Sequence, residues 1–413
     1  MNKLFGQYKG LRREVYILFF GRIVTNLGSM VWPMLTMILN QKMGMRAGDI
    51  SWLLILAGII LLPAGMIGGK LADRFSKRNI IVICDAVSII GYITCACIPL
   101  SYISIALMIF SSTFQTMENP AYNALLADLT KSKDRERAYS LSYLGSNLGL
   151  MLAPVIGGFL FKNYLWLAFL LNGLSIASST VLIFFGIDAH VQSVKDDSIY
   201  EQADQNGSVF DIFIRHKVLI LYAAAVGLYS LIYSQYGYLM PLDLGRVHGE
   251  NGAAIYGTVS SLNCVIVVLF TPLWTKVSSK LSDVVRIIIA ECMITAGYAV
   301  FLLLLGHIPA YYLAITLFTW GEILETISVG PYETKRVPST HRGRVNSVIS
   351  VIQSIMMGLG EIATGQLYDR FGSVQAWIFI FIMIMILFAI LFIWKTKDYK
   401  AYPDLYQEVK ENG

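Results

Sequence analysis

Long apolar runs alternate with short polar stretches from one end of this chain to the other. Twelve runs reach the length a helix needs to cross about 30 Å of hydrocarbon, roughly 20 residues. They fall at 15–39, 48–71, 79–99, 101–127, 138–161, 165–187, 214–241, 252–276, 284–306, 309–333, 343–368 and 373–394. The first follows Lys9, Arg12 and Arg13, has no small-residue cleavage site after it, and leads on into further spans. We read it as a transmembrane helix and not as a removable signal. The pattern predicts an all-α integral membrane protein with twelve transmembrane helices. Prolines at 33, 63, 120, 154, 272 and 331 mark expected bends.

The charge pattern orients these spans. An even number puts both termini on one side. Lys and Arg crowd the loops of that side, whereas the other side carries only Lys42, Arg46, Lys162, Arg246 and Arg370; Arg22 lies inside the first span. The positive-inside rule then makes both termini cytoplasmic, and the expected site is the cell membrane. One long polar loop, 188–213, divides the chain into an N-terminal six-helix bundle (1–187) and a C-terminal one (214–394), with a tail at 395–413. Val209–Ile214 reads as a segment lying on the membrane surface.

The two halves repeat. Asn119-Pro120-Ala121-Tyr122 is similar to Gly330-Pro331-Tyr332, and Arg135-Glu136-Arg137 to Arg342-Gly343-Arg344. Gly157-Gly158-Phe159-Leu160 matches Thr364-Gly365-Gln366-Leu367. Two pseudo-symmetric bundles around a midplane site form the plan of a large carrier class.

Composition narrows the reading further. Hydrophobic residues make up 56% of the 413 and charged ones only 14%, against roughly 25% in soluble domains. The net charge of +5 sits in loops, so it points to topology and not to nucleic acid. The cysteines (Cys84, Cys95, Cys97, Cys264, Cys292) all lie in apolar segments and suggest neither a disulfide framework nor a metal site. The histidines form no ligand cluster, and no nucleophile stands with a base. We expect no enzyme activity and no cofactor.

Gly69-Lys70-Leu71-Ala72-Asp73-Arg74-Phe75-Ser76-Lys77-Arg78 joins spans two and three. It resembles the loop 2–3 signature of the major facilitator superfamily, with Ser76 where glycine is usual. The resemblance covers the whole chain and implies the major facilitator fold. It also implies a conformational gate: Asp73 facing the N-terminus of span eleven, a positive dipole end, and Arg74 and Arg78 pairing with Asp128. Gly145, Gly149, Pro154, Gly157 and Gly158 in span five resemble the glycine/proline motif of the antiporter branch, with Ala153 replacing a glycine. Gly321-Glu322 resembles the Gly-Glu of bacterial twelve-span drug:proton antiporters, whose glutamate is implicated in drug binding and proton coupling. Two family features are missing: the span-four arginine, where this chain reads Ser112-Thr113-Phe114-Gln115, and an aspartate early in span five, here Ser142.

The resemblance further implies that spans one, four, seven and ten line a central cavity. A charge at the bilayer centre costs about 2.5–3.5 kcal/mol on insertion scales, so a charged residue there faces a cavity or a partner. Low-dielectric surroundings disfavour the charged form of a carboxyl, which lets such a group take up and release a proton. Glu322 is the expected main exchange site, with Glu118 or Glu325 assisting; Glu325 shares a helix face with Glu322. A static helix-to-helix hydrogen bond is the alternative for each. Arg22 and Asn26 share a face of span one, where Arg22 neutralises Glu118, binds an anion or forms a structural pair. Asp85 and Glu291 read as structural pairs, and Glu361 has no clear place. Tyr233, Gln235 and Tyr236 in span seven supply flat faces with polar handles, or an interfacial belt.

The expected function is proton-coupled efflux of amphipathic or cationic small molecules by a monomer working through alternating access. The alternatives are a proton- or sodium-coupled uptake symporter for a small polar metabolite, and a non-transporting sensor or scaffold. The expected partners are the small-molecule substrate, protons or sodium, and the lipid bilayer, with no nucleic acid.

Overall fold

In hydrocarbon every backbone N–H and C=O must be satisfied within the chain, so an apolar run long enough to span becomes a helix. The structure, a computed structural model, describes residues 10–130, 132–188, 217–337 and 342–406. Within them twelve long helices follow the predicted runs. They are α1 (Arg13–Gly28), α2 (Ala47–Arg74), α3 (Lys77–Cys97), α4 (Tyr102–Asp128), α5 (Ser132–Leu160) and α6 (Leu165–Gly186), then α7 (Lys217–Tyr233), α8 (Asn251–Ser278), α9 (Asp283–Leu303), α10 (Ile308–Arg336), α11 (Arg342–Phe371) and α12 (Ser373–Ala401). Eleven spans among the described residues are long and apolar enough to cross a membrane. α4 is not among them: its 27 residues include Gln115, Glu118, Asn119 and Asn123 among several serines. The linker beyond Asp188, including Val209–Ile214, lies outside the described residues, as do the side chains of Asp73, Arg135, Arg342 and Arg344.

The chain packs as two compact units. Unit 1 is Met1–Gly44, Leu53–Ile199 and Gly249–Cys264; unit 2 is Met45–Trp52, Tyr200–His248 and Val265–Gly413. Each unit follows one packing plan. In unit 1, α1 packs on α5 and α6, and α3 on α4 and α6; in unit 2, α7 packs on α11 and α12, and α9 on α10 and α12. The core of unit 1 gathers Leu18, Ile81, Tyr122, Leu125, Leu126 and Ile183. That of unit 2 is aromatic, with Tyr298, Phe301, Phe318, Trp377 and Trp394 all fully buried. Large apolar side chains such as Phe185, Leu303 and Phe392 stand exposed, the reverse of a water-soluble surface.

The prolines fall at defined places in these helices. Pro63, Pro120, Pro154, Pro272 and Pro331 lie inside helices, while Pro33 sits in the 3-10 turn Trp32–Met34 that follows α1. After α7 a 3-10 turn at Ser234–Tyr236 precedes a short helix, Leu239–His248, with Pro241 in its first turn. Side chains satisfy the carbonyls freed there. The Tyr298 hydroxyl donates to Ile232 O (2.9 Å) and Tyr233 O (3.3 Å), and Gln235 Nε2 donates to Leu231 O (2.9 Å). Between α11 and α12 the chain turns on Gly372 at φ 95°, a conformation that suits only glycine well.

Candidate functional site

In unit 2 the break in α7 presents Tyr233 to α10. A methyl group at Gly321 would come 2.5 Å from Ala290 O, so only glycine lets α10 lie this tightly on α9. The next residue, Glu322, accepts a 2.9 Å hydrogen bond from the Tyr233 hydroxyl. An aromatic wall surrounds this pair: Tyr229 lies 5.6 Å from Tyr233, and Phe318 lies 5.3 Å from Tyr233 and 5.2 Å, stacked, from Tyr236. Glu325, one turn on from Glu322, is buried and interacts electrostatically with Glu322 and with Glu291 of α9. Gln235 faces its own helix break and α11. It is fully buried, with Nε2 on Leu231 O and Ser234 Oγ and Oε1 accepting from Thr364 at 3.0 Å. Its amide is spent on holding the helix break against α11.

In unit 1 Glu118 is also buried, and its partner is Asp85 of α3, with which it is in hydrogen-bonding contact. Such a bond requires one proton, since two bare carboxylates have no donor. Asp85 Oδ2 also accepts from Thr180 Oγ1 of α6 at 2.6 Å. Arg22 lies within electrostatic range of Glu118. Its guanidinium donates to Asn119 Oδ1 (3.0 Å) and sits 3.9 Å from the Tyr122 ring centroid. Asn26 lies elsewhere, against Gly149 where α1 crosses α5.

At the loop between α2 and α3, Lys77 and not Arg74 or Arg78 holds Asp128. Lys77 opens α3 and reaches the last residue of α4, whereas Arg78 points to α6. There it donates to Phe184 O and covers the Phe184 ring. Gly69 faces open space, and the close helix approach falls on Gly68, where a Cβ would strike the Met117 carbonyl. The span-five glycines do sit at crossings. A methyl at Gly149 would come 2.5 Å from Ile23 O, one at Gly157 2.8 Å from Met30 O, and one at Gly158 2.6 Å from Ala253 O. Gly145 meets the Phe19 ring, and the Pro154 carbonyl lies against Gly257.

Sequence reasoning missed a cluster at the end of α10. Arg336 donates to Asp398 of α12 through Nε (2.8 Å) and Nη2 (2.6 Å). Asp398 also accepts from Tyr332 (3.0 Å) and Tyr406 (2.6 Å). Burial works against the Arg336 charge, but the bonds to Asp398 outweigh it and hold the guanidinium above its ordinary range. The Asp85–Glu118 contact was missed too, although a signal existed. Asp85 follows Lys77 by eight positions and precedes Gly91-Tyr92, as Glu291 follows Asp283 by eight and precedes Gly297-Tyr298.

Twelve long helices in two like-built units, with buried carboxyls in each, define a multi-pass membrane carrier. Residues 18–361 match the family model described as Major Facilitator Superfamily, and the chain belongs to that family; it is a transporter and not an enzyme. Among its relatives is a protein of Planococcus maritimus named as a Na(+), Li(+), K(+)/H(+) antiporter. It is 21% identical over 359 residues, covering 79% of this chain and 82% of the relative. A second, the multidrug resistance protein MdtH of Photorhabdus laumondii, is 26% identical over 148 residues, or 36% of this chain and 37% of that one. A solved POT family transporter superposes with a TM-score of 0.76 at 14% identity, covering 93% of this chain and 96% of that one.

Proposed function

We propose that this transporter couples proton entry to export of amphipathic or cationic small molecules by alternating access. The observation that carries the reading is the Tyr233–Glu322 hydrogen bond inside an aromatic wall. A carboxyl group there can hold either a proton or a cation. Tyr233, Tyr236 and Phe318 supply faces that attract cations and apolar rings alike. Exchange follows if the two occupants exclude each other: the proton leaves when the cationic cargo binds, and the cargo leaves when the proton returns. Glu325, and the Asp85–Glu118 pair in unit 1, are further proton-holding groups in this scheme. The loop from Gly69 to Arg78, with Lys77 on Asp128, acts as the gate, and both termini face the cytoplasm of a cell-membrane monomer.

The antiporter relative favours a second reading, exchange of an alkali cation for a proton at the same carboxyls. One experiment separates the two. Purified protein in proteoliposomes is given a pH gradient, and efflux of a cationic dye is followed beside proton movement on addition of Na+ or K+. Gradient-driven dye efflux that disappears in Glu322→Gln supports export. Proton movement driven by Na+ or K+ with no dye transport supports alkali-cation exchange. Neither response from folded protein rejects both.

A further inference from the structure

In unit 2, α7 and α10 carry matched rows of side chains. Tyr222, Tyr229 and Tyr233 fall within an arc of about 40° on α7, and Glu322, Glu325 and Glu333 within about 80° on α10. The Tyr233 hydroxyl donates to Glu322 at 2.9 Å, and the Tyr222 hydroxyl donates to Glu333 at 2.8 Å. The two bonds stand eleven residues apart on both helices, about 17 Å along each axis. Helices that run antiparallel in register meet twice in this way. Glu325 and Tyr229 lie between the two bonds. Glu325 is buried and interacts electrostatically with Glu322 and Glu333. Tyr229 interacts with Glu322 and Glu325, and Tyr222 with Glu325 and Glu333. Glu291 is the acid that faces Glu325 from α9.

Glu333 sits near the end of α10, at Arg336, with Pro331 and Lys335 exposed on either side of it. The cations there are engaged elsewhere. Lys335 holds Asp283 at 2.9 Å, and Arg336 holds Asp398 at 2.6 Å. Glu333 takes a phenol instead, and the phenol ring is fixed 4.6 Å from Tyr332 and 5.6 Å from Trp394. This choice of partner matters. A carboxyl bonded to a phenol keeps that bond when it gains a proton, because one oxygen still accepts. A carboxyl bonded to a guanidinium loses the charge attraction. Unit 1 has buried acids but no such row. Its cavity of about 380 Å³ beside Tyr92 is walled by neutral side chains, and Tyr122 gives its hydroxyl proton to Leu18 O.

We infer that Tyr222 and Glu333 are the inner end of a proton relay, which passes the proton held at Glu322 through Glu325 to the surface at the end of α10. The inference rests on the reading of Glu322 as the exchange site and of both termini as cytoplasmic. Glu325, one turn from Glu322, takes its proton from that carboxyl. The O–H bond of Glu325 then breaks as its proton passes to the Tyr222 oxygen, while the phenol's own proton passes to the Glu333 carboxylate. The phenol is neutral before and after. The negative charge moves from Glu333 to Glu325, and Glu333 yields its proton to water. Glu322 can in this way lose its proton inward while cargo occupies the aromatic wall on its other side.

The test uses the full chain in proteoliposomes with tetraphenylphosphonium as probe, followed in two modes. In one, a pH gradient drives net transport. In the other, labelled and unlabelled probe exchange at equal pH, which moves no net proton. Glu333→Gln keeps an acceptor for Tyr222 but cannot take up a proton. It should slow the gradient-driven mode by about tenfold, less than the roughly hundredfold of a positioned proton-transfer group, because water offers a slower path. The slowing should be confined to that mode, with the half-saturating probe concentration unchanged. Tyr222→Phe should give the same split, which covers the case of a misfolded Glu333→Gln. Glu333→Asp restores a carboxyl and should recover part of the rate. Equal slowing of both modes in Glu333→Gln and Tyr222→Phe would mark a structural role and overturn the relay. Wild-type rates in both variants, beside a failed Glu322→Gln, would remove the relay alone. A wild type without gradient-driven transport would remove the exchange reading and the relay with it.

Discussion

α3 and α4 in unit 1, and α9 and α10 in unit 2, share one plan and are finished differently. α3 and α9 each follow a serine, place an acid in their third turn (Asp85, Glu291) and carry a Gly-Tyr pair six positions after that acid. α4 and α10 each bring a buried glutamate to that acid, Glu118 and Glu325. The tyrosines then diverge. Tyr92 bonds side chains and borders a hollow. Tyr298 caps backbone carbonyls at the α7 break, and its ring lies 5.4 Å from Phe318 and 5.2 Å from Trp377. The ion pair at the helix ends is reversed in sign: Lys77 of α3 holds Asp128 of α4, whereas Asp283 of α9 holds Lys335 of α10 at 2.9 Å. The repeat therefore decides where an acid and a tyrosine stand. The neighbours of the tyrosine decide whether the space is hollow and neutral or filled and aromatic.

The largest effect expected from breaking this contrast is on transport. Glu322→Gln should lower gradient-driven exchange by about a hundredfold or more, the scale on which a positioned proton-transfer group acts, whereas Tyr92→Phe should leave the proton dependence intact. Dye efflux in proteoliposomes at several imposed gradients would show it. Loss of coupling in both variants would mean that the two units do not divide the work.

Next in size is the stability of the helix ends. Arg336 and Asp398 are 2% and 0% exposed, so Arg336→Met leaves a buried carboxylate uncompensated and should cost about 3–5 kcal/mol. Lys77 and Asp128 are 27% and 20% exposed, and Lys77→Met should cost no more than about 1 kcal/mol. Denaturant titration of each variant in detergent would compare them. Similar losses would show that burial does not set the value of these pairs.

A smaller difference should separate the two tyrosines. Tyr298→Phe deprives the Ile232 and Tyr233 carbonyls of their donor and should cost about 1–3 kcal/mol. Tyr92→Phe borders a cavity that water can enter, so its cost should fall below about 1.5 kcal/mol. The same titration reads both.

Much of this plan was legible in the sequence, because span length and the repeat can be read from the order of residues alone. The pairing of Glu322 with an aromatic wall was partly legible, since Gly321-Glu322 and the tyrosines of span seven could be seen as polar groups on apolar helices. What crosses between helices was not. Asp128 offered several basic candidates nearby, and only the direction in which α3 starts makes Lys77 its partner. Pro241 lies past the α7 break, in the first turn of the short helix, and nothing at Ser234–Tyr236 itself marks the break, so Gln235 looked like a free polar group when its amide was already committed. Asp398 sat in what read as a solvated tail because α12 runs on beyond its apolar stretch to Ala401.

The smallest effect tests whether the two units also pack by the same rule. At Gly149, where α5 crosses α1, an added methyl meets a backbone oxygen, Ile23 O, at 2.5 Å. At Gly360, where α11 crosses α7, the nearest atom is the Leu231 Cγ, also at 2.5 Å. Alanine gains about 0.8–1.0 kcal/mol over glycine in a helix interior, and overpacking costs about 1–3 kcal/mol where nothing can yield. A backbone cannot move without its helix, but a leucine can change rotamer. Gly149→Ala should therefore be destabilising by up to about 2 kcal/mol, while Gly360→Ala should be close to neutral. Melting temperatures of the two variants in one detergent would settle the order. If Gly360→Ala proves the worse of the pair, Leu231 is locked in place, and unit 2 is the more rigidly packed of the two.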